Sequence, residues 1–272
     1  MHPILDKPDI LQVLFHPKPD TTGKPRSPNI HLIEVEVEPR LFLRGRLYAA
    51  ASNSPAILFF HGNGEIAAEY DSIAKVFTVL GISILVIDYR GYGTSDGTST
   101  ASNLLADGPK VFDAFGNILT AHQLFPQQLY VMGRSLGSVP AIAVANHAQD
   151  QLAGLIIDSG FADTFALLKR LGWQVRDYED ERFGFKNAEK ISRILVPTLI
   201  IHGEKDSLIP IQQGEKLYNS CAAANKQLIR IKNAGHNTLF RMGMWQYFEA
   251  IQKFVIGKIV LDEASLFQLL LN

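Results

Sequence analysis

Three side chains in this sequence have the types needed for nucleophilic acyl transfer: Ser135, Asp206 and His236. A serine hydroxyl attacks a carbonyl only if a base removes its proton, and a histidine can do so near neutral pH. An aspartate at the far side of the imidazole holds the correct tautomer and stabilises the imidazolium that forms. Ser135 lies in Gly133-Arg134-Ser135-Leu136-Gly137, between the apolar run Leu129–Met132 and a stretch of small, helix-compatible residues from Ser138 to Ala148. A serine on so tight a strand-to-helix turn needs glycines on both sides, because neighbouring chain passes too close for side chains. With 21 glycines and 15 serines in 272 residues, the pattern arises by chance roughly 0.1 times per chain, so its weight depends on what accompanies it.

Asp206 stands in His202-Gly203-Glu204-Lys205-Asp206-Ser207, after the apolar run Thr198–Ile201, and His236 follows Gln227–Ile231 in Asn233-Ala234-Gly235-His236-Asn237. Taken singly, each reads as a turn, cap or loop residue. Together, each just past a strand-like run, they form a constellation. Asp158, after Leu155–Ile157, is the rival acid, and a turn or pocket-floor role suits it better. The developing oxyanion needs two backbone donors. Leu136 supplies one, and Asn63, in the turn His61-Gly62-Asn63-Gly64-Glu65, is the candidate for the other. His61 is expected to pack beneath that turn. In Asp88-Tyr89-Arg90-Gly91-Tyr92-Gly93, the aromatic and basic residues are expected to support the nucleophile region more than to touch substrate.

These residues require a scaffold that brings strand ends to one rim. Strand-like runs at Ile30–Val37 and Phe42–Ala49 suggest an antiparallel pair. Beyond them, short apolar runs at Ala56–Phe60, Ser83–Ile87, Leu129–Met132, Leu155–Ile157, Thr198–Ile201 and Gln227–Ile231 alternate with helical windows near 65–80, 101–121, 136–148, 161–172, 211–223 and 240–256. That alternation predicts a mostly parallel sheet covered by helices on both faces, with ligands bound at the carboxyl ends of its strands. The expected organisation is one domain over 1–272, with an irregular extension over 1–29, proline-rich from residue 16, and a short lid-like segment over 158–197. Phe161, Phe165, Trp173, Phe183 and Phe185 in that segment either wall an acyl pocket or pack in the core. The acidic run from Asp177 to Glu181 reads as a solvated face.

Composition narrows the function classes. A net charge of −1 provides no basic patch for nucleic acid, and 47% hydrophobic residues suit a globular core. No apolar run approaches membrane-spanning length and the N-terminus lacks a leader pattern, so the expectation is a cytoplasmic protein without stable membrane insertion. The single cysteine, Cys221, reads as a buried helix-end thiol, and no metal motif is visible.

The motifs Phe60-His61-Gly62-Asn63-Gly64, Asp88-Tyr89-Arg90-Gly91-Tyr92-Gly93-Thr94-Ser95, Gly133-Arg134-Ser135-Leu136-Gly137, Val196–Asp206 and Gly235-His236-Asn237 extend over about residues 55–240. As a set, in the order Ser, Asp, His, they resemble the α/β-hydrolase superfamily, and within it compact serine hydrolases of the ABHD type, a group that includes protein depalmitoylases. The resemblance implies an ester or thioester hydrolase working through an acyl-enzyme, without a cofactor. It also implies Ser135, Asp206 and His236 as the triad, with the amides of Asn63 and Leu136 as oxyanion donors. Depalmitoylases of this group carry a cysteine-rich, lipidated N-terminus that this sequence does not show. With a short lid segment, the expected site is fairly open and suited to short or medium acyl groups on a small or acylated substrate. A peptidase of the same fold and a noncatalytic ligand-binding scaffold are the competing readings, and the oligomeric state stays open.

Overall fold

In the computed structural model the chain is described throughout, apart from residues 1, 3, 24, 26, 175–180 and 272. Its centre is an eight-stranded sheet. The strands are β1 (Ile30–Glu38), β2 (Leu41–Tyr48), β3 (Ala56–Phe60), β4 (Ser83–Ile87), β5 (Leu129–Arg134), β6 (Gly154–Asp158), β7 (Thr198–Gly203) and β8 (Lys226–Ile231), in the spatial order 1-2-4-3-5-6-7-8. The β1–β2 and β2–β4 pairs are antiparallel, and all the others are parallel. Strands β3 to β7 are buried along their length, except for the half-buried Leu129 at the start of β5, which is why each carries a short apolar run with no alternation. β1 alternates buried and exposed residues from Ile33 onward, as a sheet-edge strand with one wet face must.

The helices are α1 (Pro8–Leu14), α2 (Asp71–Val79), α3 (Ala101–Ala121), α4 (Ser138–His147), α5 (Thr164–Arg170), α6 (Asn187–Ile191), α7 (Ile211–Ser220), α8 (Leu239–Ile251) and α9 (Glu263–Leu271). They bury two apolar layers against opposite faces of the sheet. One layer gathers α1, α3, α4 and α5; the other gathers α2 and α8. The long α3 is capped by Thr100, whose hydroxyl accepts the Asn103 amide at 3.1 Å.

Two parts of the chain depart from expectation. The extension over residues 1–29 is not irregular throughout: Pro8–Leu14 is helical, with Pro8 in the first turn, where its missing N–H is no loss. Leu5, Ile10, Leu14 and Phe15 are buried in the first apolar layer, so this segment belongs to the core. Between Asp158 and Pro197 the chain forms α5 and α6, shorter than the window drawn over 161–172. Most of the acidic run, Asp177–Asp180, lies outside the described residues. The helical window over 240–256 is Leu239–Ile251 continued by a π-helical turn, Gln252–Ile256, that ends at Gly257.

Candidate active site

Strand β5 ends in a tight turn at Ser135. Ser135 has φ +52°, a left-handed conformation that a non-glycine residue adopts only when its surroundings impose it. The turn can form because glycines flank it. A methyl group on Gly133 would collide with the Gly137 carbonyl, and one on Gly137 would collide with the Phe60 carbonyl at the end of β3. The Ser138 hydroxyl donates to the Ser135 carbonyl at 2.7 Å and ties the turn to the first residue of α4.

The other two predicted side chains arrive from neighbouring strand ends. Asp206 follows β7 and His236 follows β8, and the structure brings both to Ser135. His236 Nε2 lies 3.0 Å from Ser135 Oγ, and His236 Nδ1 lies 2.7 Å from Asp206 Oδ2. The second oxygen of Asp206, Oδ1, accepts the amides of Leu208 and Ile209 at 3.0 and 2.8 Å, so this buried carboxylate is held by three donors. Beneath it, His202 is fully buried and bonded through Nε2 to the Ile209 carbonyl at 2.7 Å. Burial lowers the His202 pKa below its ordinary value, so this ring stays neutral beside Asp206. Asp158, the rival acid, makes no such contact. It accepts the Ser159 and Tyr247 hydroxyls at 2.8 and 3.0 Å, in a buried position under the elbow.

Asn63 and Leu136 both line the cleft at Ser135, because β3 and β5 are adjacent and their ends are in register at Phe60 and Gly133. The Asn63 side chain is engaged through both its oxygen and its nitrogen. Its Oδ1 accepts the His16 amide at 2.9 Å and the Tyr92 hydroxyl at 2.6 Å, and its Nδ2 meets His16 Nδ1 at 2.8 Å. Burial pushes the Tyr92 phenol above its usual range and keeps it a donor. His61 is buried under this turn as expected, with Nδ1 at 2.8 Å from the Gly62 carbonyl. Its Nε2 lies 3.2 Å from Asp88 Oδ1, but out of line for a hydrogen bond. Tyr89 donates to the His61 carbonyl, and Arg90 makes a two-pronged pair with Asp107 at 2.7 and 2.8 Å. The Asp88–Gly93 loop therefore braces the site from behind.

The cleft offers about 170 Å³ of space reachable by water. Its apolar wall consists of Leu14, Leu136, Leu167, Leu171 and Leu208, not of aromatics. Phe161, Phe165 and Phe185 are instead packed in the core, with Phe161 against Phe185 and Phe165 beside Trp173, which settles the choice left open for them. Sequence reasoning missed Leu14 and His16 as site residues because it treated the first 29 positions as irregular. The helical spacing of Ile10 and Leu14 behind Pro8 was the available signal. It also missed Glu65, Arg134 and Asn237, which line the cleft, although a charged residue inside the elbow motif is itself conspicuous. Among the described residues, no group of three or more His, Cys, Asp or Glu side chains could hold a metal ion, and no helix is long and apolar enough to cross a membrane.

The profile of the family described as serine aminopeptidase, S33, matches residues 51–174 and 182–241. Human alpha/beta hydrolase domain-containing protein 17B is 31% identical over 212 residues, covering 75% of this chain and 67% of the relative. The Xenopus laevis protein of the same name is 30% identical over the same length. Among solved structures, the Pyrococcus furiosus esterase Pf2001 superposes with a TM-score of 0.71 at 16% identity, covering 89% of this chain and 99% of the esterase. A Paleococcus ferrophilus monoacylglycerol lipase superposes at 0.57 and 17% identity, covering 84% of this chain and 98% of the lipase. Sheet order, elbow and sequence similarity agree: the chain belongs to the serine aminopeptidase S33 family of α/β-hydrolases and is a serine hydrolase.

Proposed function

We propose that this enzyme hydrolyses carboxylic esters or thioesters through an acyl-enzyme on Ser135, with Asp206 and His236 completing the triad. The observation that supports this most is the unbroken chain of contacts, 2.7 Å from Asp206 to His236 and 3.0 Å from His236 to Ser135. As Ser135 Oγ attacks the substrate carbonyl, its proton passes to His236 Nε2, and Asp206 stabilises the imidazolium. The oxyanion accepts hydrogen bonds from the amides of Asn63 and Leu136, each donor contributing about 3–4 kcal/mol to transition-state stabilisation. Collapse of the tetrahedral intermediate expels the alkoxide or thiolate, which takes the proton from His236. Water, deprotonated by His236, then attacks the acyl-enzyme, releasing the carboxylic acid and restoring Ser135.

The leucine wall suits an aliphatic acyl group of short or medium length. The family description and the fold keep a peptidase in view, yet an aminopeptidase needs a free carboxylate for the substrate amine. Among the described residues, the one acidic side chain lining the cleft, Glu65, already accepts Arg134, Gly62 and Tyr70. This favours the ester reading. We read the whole chain as one catalytic domain, with 158–197 as a short lid. We place its work in a reducing cytoplasm, in keeping with the free, buried Cys221.

Stopped-flow hydrolysis of p-nitrophenyl esters and acyl thioesters from acetyl to dodecanoyl, beside aminoacyl anilides, tests this. The expected result is a burst of product stoichiometric with enzyme, strongest for aliphatic esters or thioesters and absent in Ser135→Ala. Anilide cleavage outpacing every ester, or activity surviving in Ser135→Ala, would overturn the proposal.

A further inference from the structure

Arg134 is the residue before Ser135, and its buried guanidinium divides its donors between the two loops that face the nucleophile. On one side Nη1 donates to Glu65 Oε1 at 2.8 Å. The other oxygen of Glu65, Oε2, accepts the Gly62 amide at 2.8 Å and the Tyr70 hydroxyl, so the same carboxylate closes the turn that presents Asn63. On the other side Nη2 donates to the His236 carbonyl at 3.0 Å and to Asn237 Oδ1 at 3.2 Å. Below, Nε lies 3.7 Å from Asp158 Oδ2. Burial by itself would lower the arginine's pKa, but Glu65 and Asp158 outweigh burial and keep it charged. The cation holds the Glu65 carboxyl below its ordinary pKa, against the opposing effect of burial.

We propose that Arg134, acting through Glu65 and the His236 carbonyl, is a positioning residue that fixes the spacing of the Asn63 turn and the His236 loop around Ser135. The inference rests on the serine-hydrolase reading of this site. A planar fork with separate donors can span two loops at once, whereas a lysine ammonium acts from a single point. Ser135 is already locked by its own elbow, so the arginine's contribution is to hold the other two loops against it. It touches no reacting atom. A stabilising role alone would register in melting temperature, whereas a positioning role registers in turnover, since a displacement of about 1 Å in reacting groups can cost about 100-fold.

The test compares wild type, Arg134→Gln, Arg134→Lys, Glu65→Gln, the Arg134→Gln/Glu65→Gln double variant and Ser135→Ala. All are assayed well below their melting temperatures on the best p-nitrophenyl ester. Arg134→Gln is expected to lower kcat about 100-fold while KM stays within about threefold. Arg134→Lys should recover only part of that loss, and the double variant should be no worse than Arg134→Gln, because both changes break one network. Kinetic losses that multiply in the double variant, or kcat within threefold of wild type in folded Arg134→Gln, would overturn the proposal. If Arg134→Gln does not fold, Glu65→Gln decides: a fall in kcat of about tenfold or more at unchanged KM supports it, and wild-type kcat overturns it. Activity persisting in Ser135→Ala would instead overturn the serine-hydrolase mechanism, so the two failures are told apart.

Discussion

At the scale of single residues, the two aspartates next to the elbow have different surroundings and should behave differently. Asp206 Oδ2 meets His236 Nδ1 at 2.7 Å, while Asp158 is occupied by Ser159, Tyr247 and the edge of Arg134. Asp206→Asn should therefore lower kcat about 10⁴-fold, the scale on which a triad acid matters, by leaving the wrong imidazole tautomer. Asp158→Asn should keep kcat within about tenfold of wild type and act mainly on stability. Steady-state kinetics of the two variants check this, and the reverse pattern would make Asp158 the acid. The three side chains that meet here were legible because each follows an apolar strand, in an order that few other arrangements produce. Arg134 and Glu65 were not, because their meaning lies in contacts between residues 69 positions apart that no local pattern encodes.

Among the elements, α1 changes the picture most. A seven-residue helix with no side-chain cap is marginal alone and forms only because Ile10 and Leu14 find apolar partners, so propensity gave little warning of it. It leans on α5, and the Trp173 indole donates to Asp9 at 2.9 Å to hold the two segments together. Leu14 reaches both the core and the cleft. Leu14→Ala should cost about 2–5 kcal/mol of stability, as large-to-small core changes do, and should shift the ester preference towards longer acyl chains. Leu14→Phe should shift it towards shorter ones. Ester chain-length profiles with denaturant unfolding check both, and a profile that neither variant moves would remove α1 from the acyl wall. The strands, by contrast, were placed to within two residues, because β3 to β7 are almost wholly buried and so carry apolar runs; β5, β6 and β7 continue past those runs into Gly133-Arg134, Asp158 and His202-Gly203.

At the scale of the whole molecule, the sheet order puts β3 beside β5 and β7 beside β8, so that turns scattered over the chain share one rim. The acid side of the stability curve should reflect what is buried there. His202 has a lowered folded pKa, so below its ordinary value of about 6.5 the unfolded chain binds a proton that the folded chain refuses. Stability from this source is complete above that value and falls as pH drops towards the folded pKa. Glu65, lowered by Arg134, adds a second loss that begins below about pH 4.5. Urea unfolding from pH 8 to pH 4 should show both declines in wild type, with the first reduced in His202→Gln. An unchanged slope between pH 6.5 and pH 5 in that variant would mean His202 is not its source.

The most direct measurement is covalent labelling of the folded protein with a fluorophosphonate, followed by peptide mass spectrometry to locate the adduct. One equivalent on Ser135 is expected, formed rapidly in wild type, orders of magnitude more slowly in His236→Ala, and not at all in Ser135→Ala. No adduct on the folded wild type, or an adduct on a different residue, would contradict the assignment of Ser135 as the nucleophile.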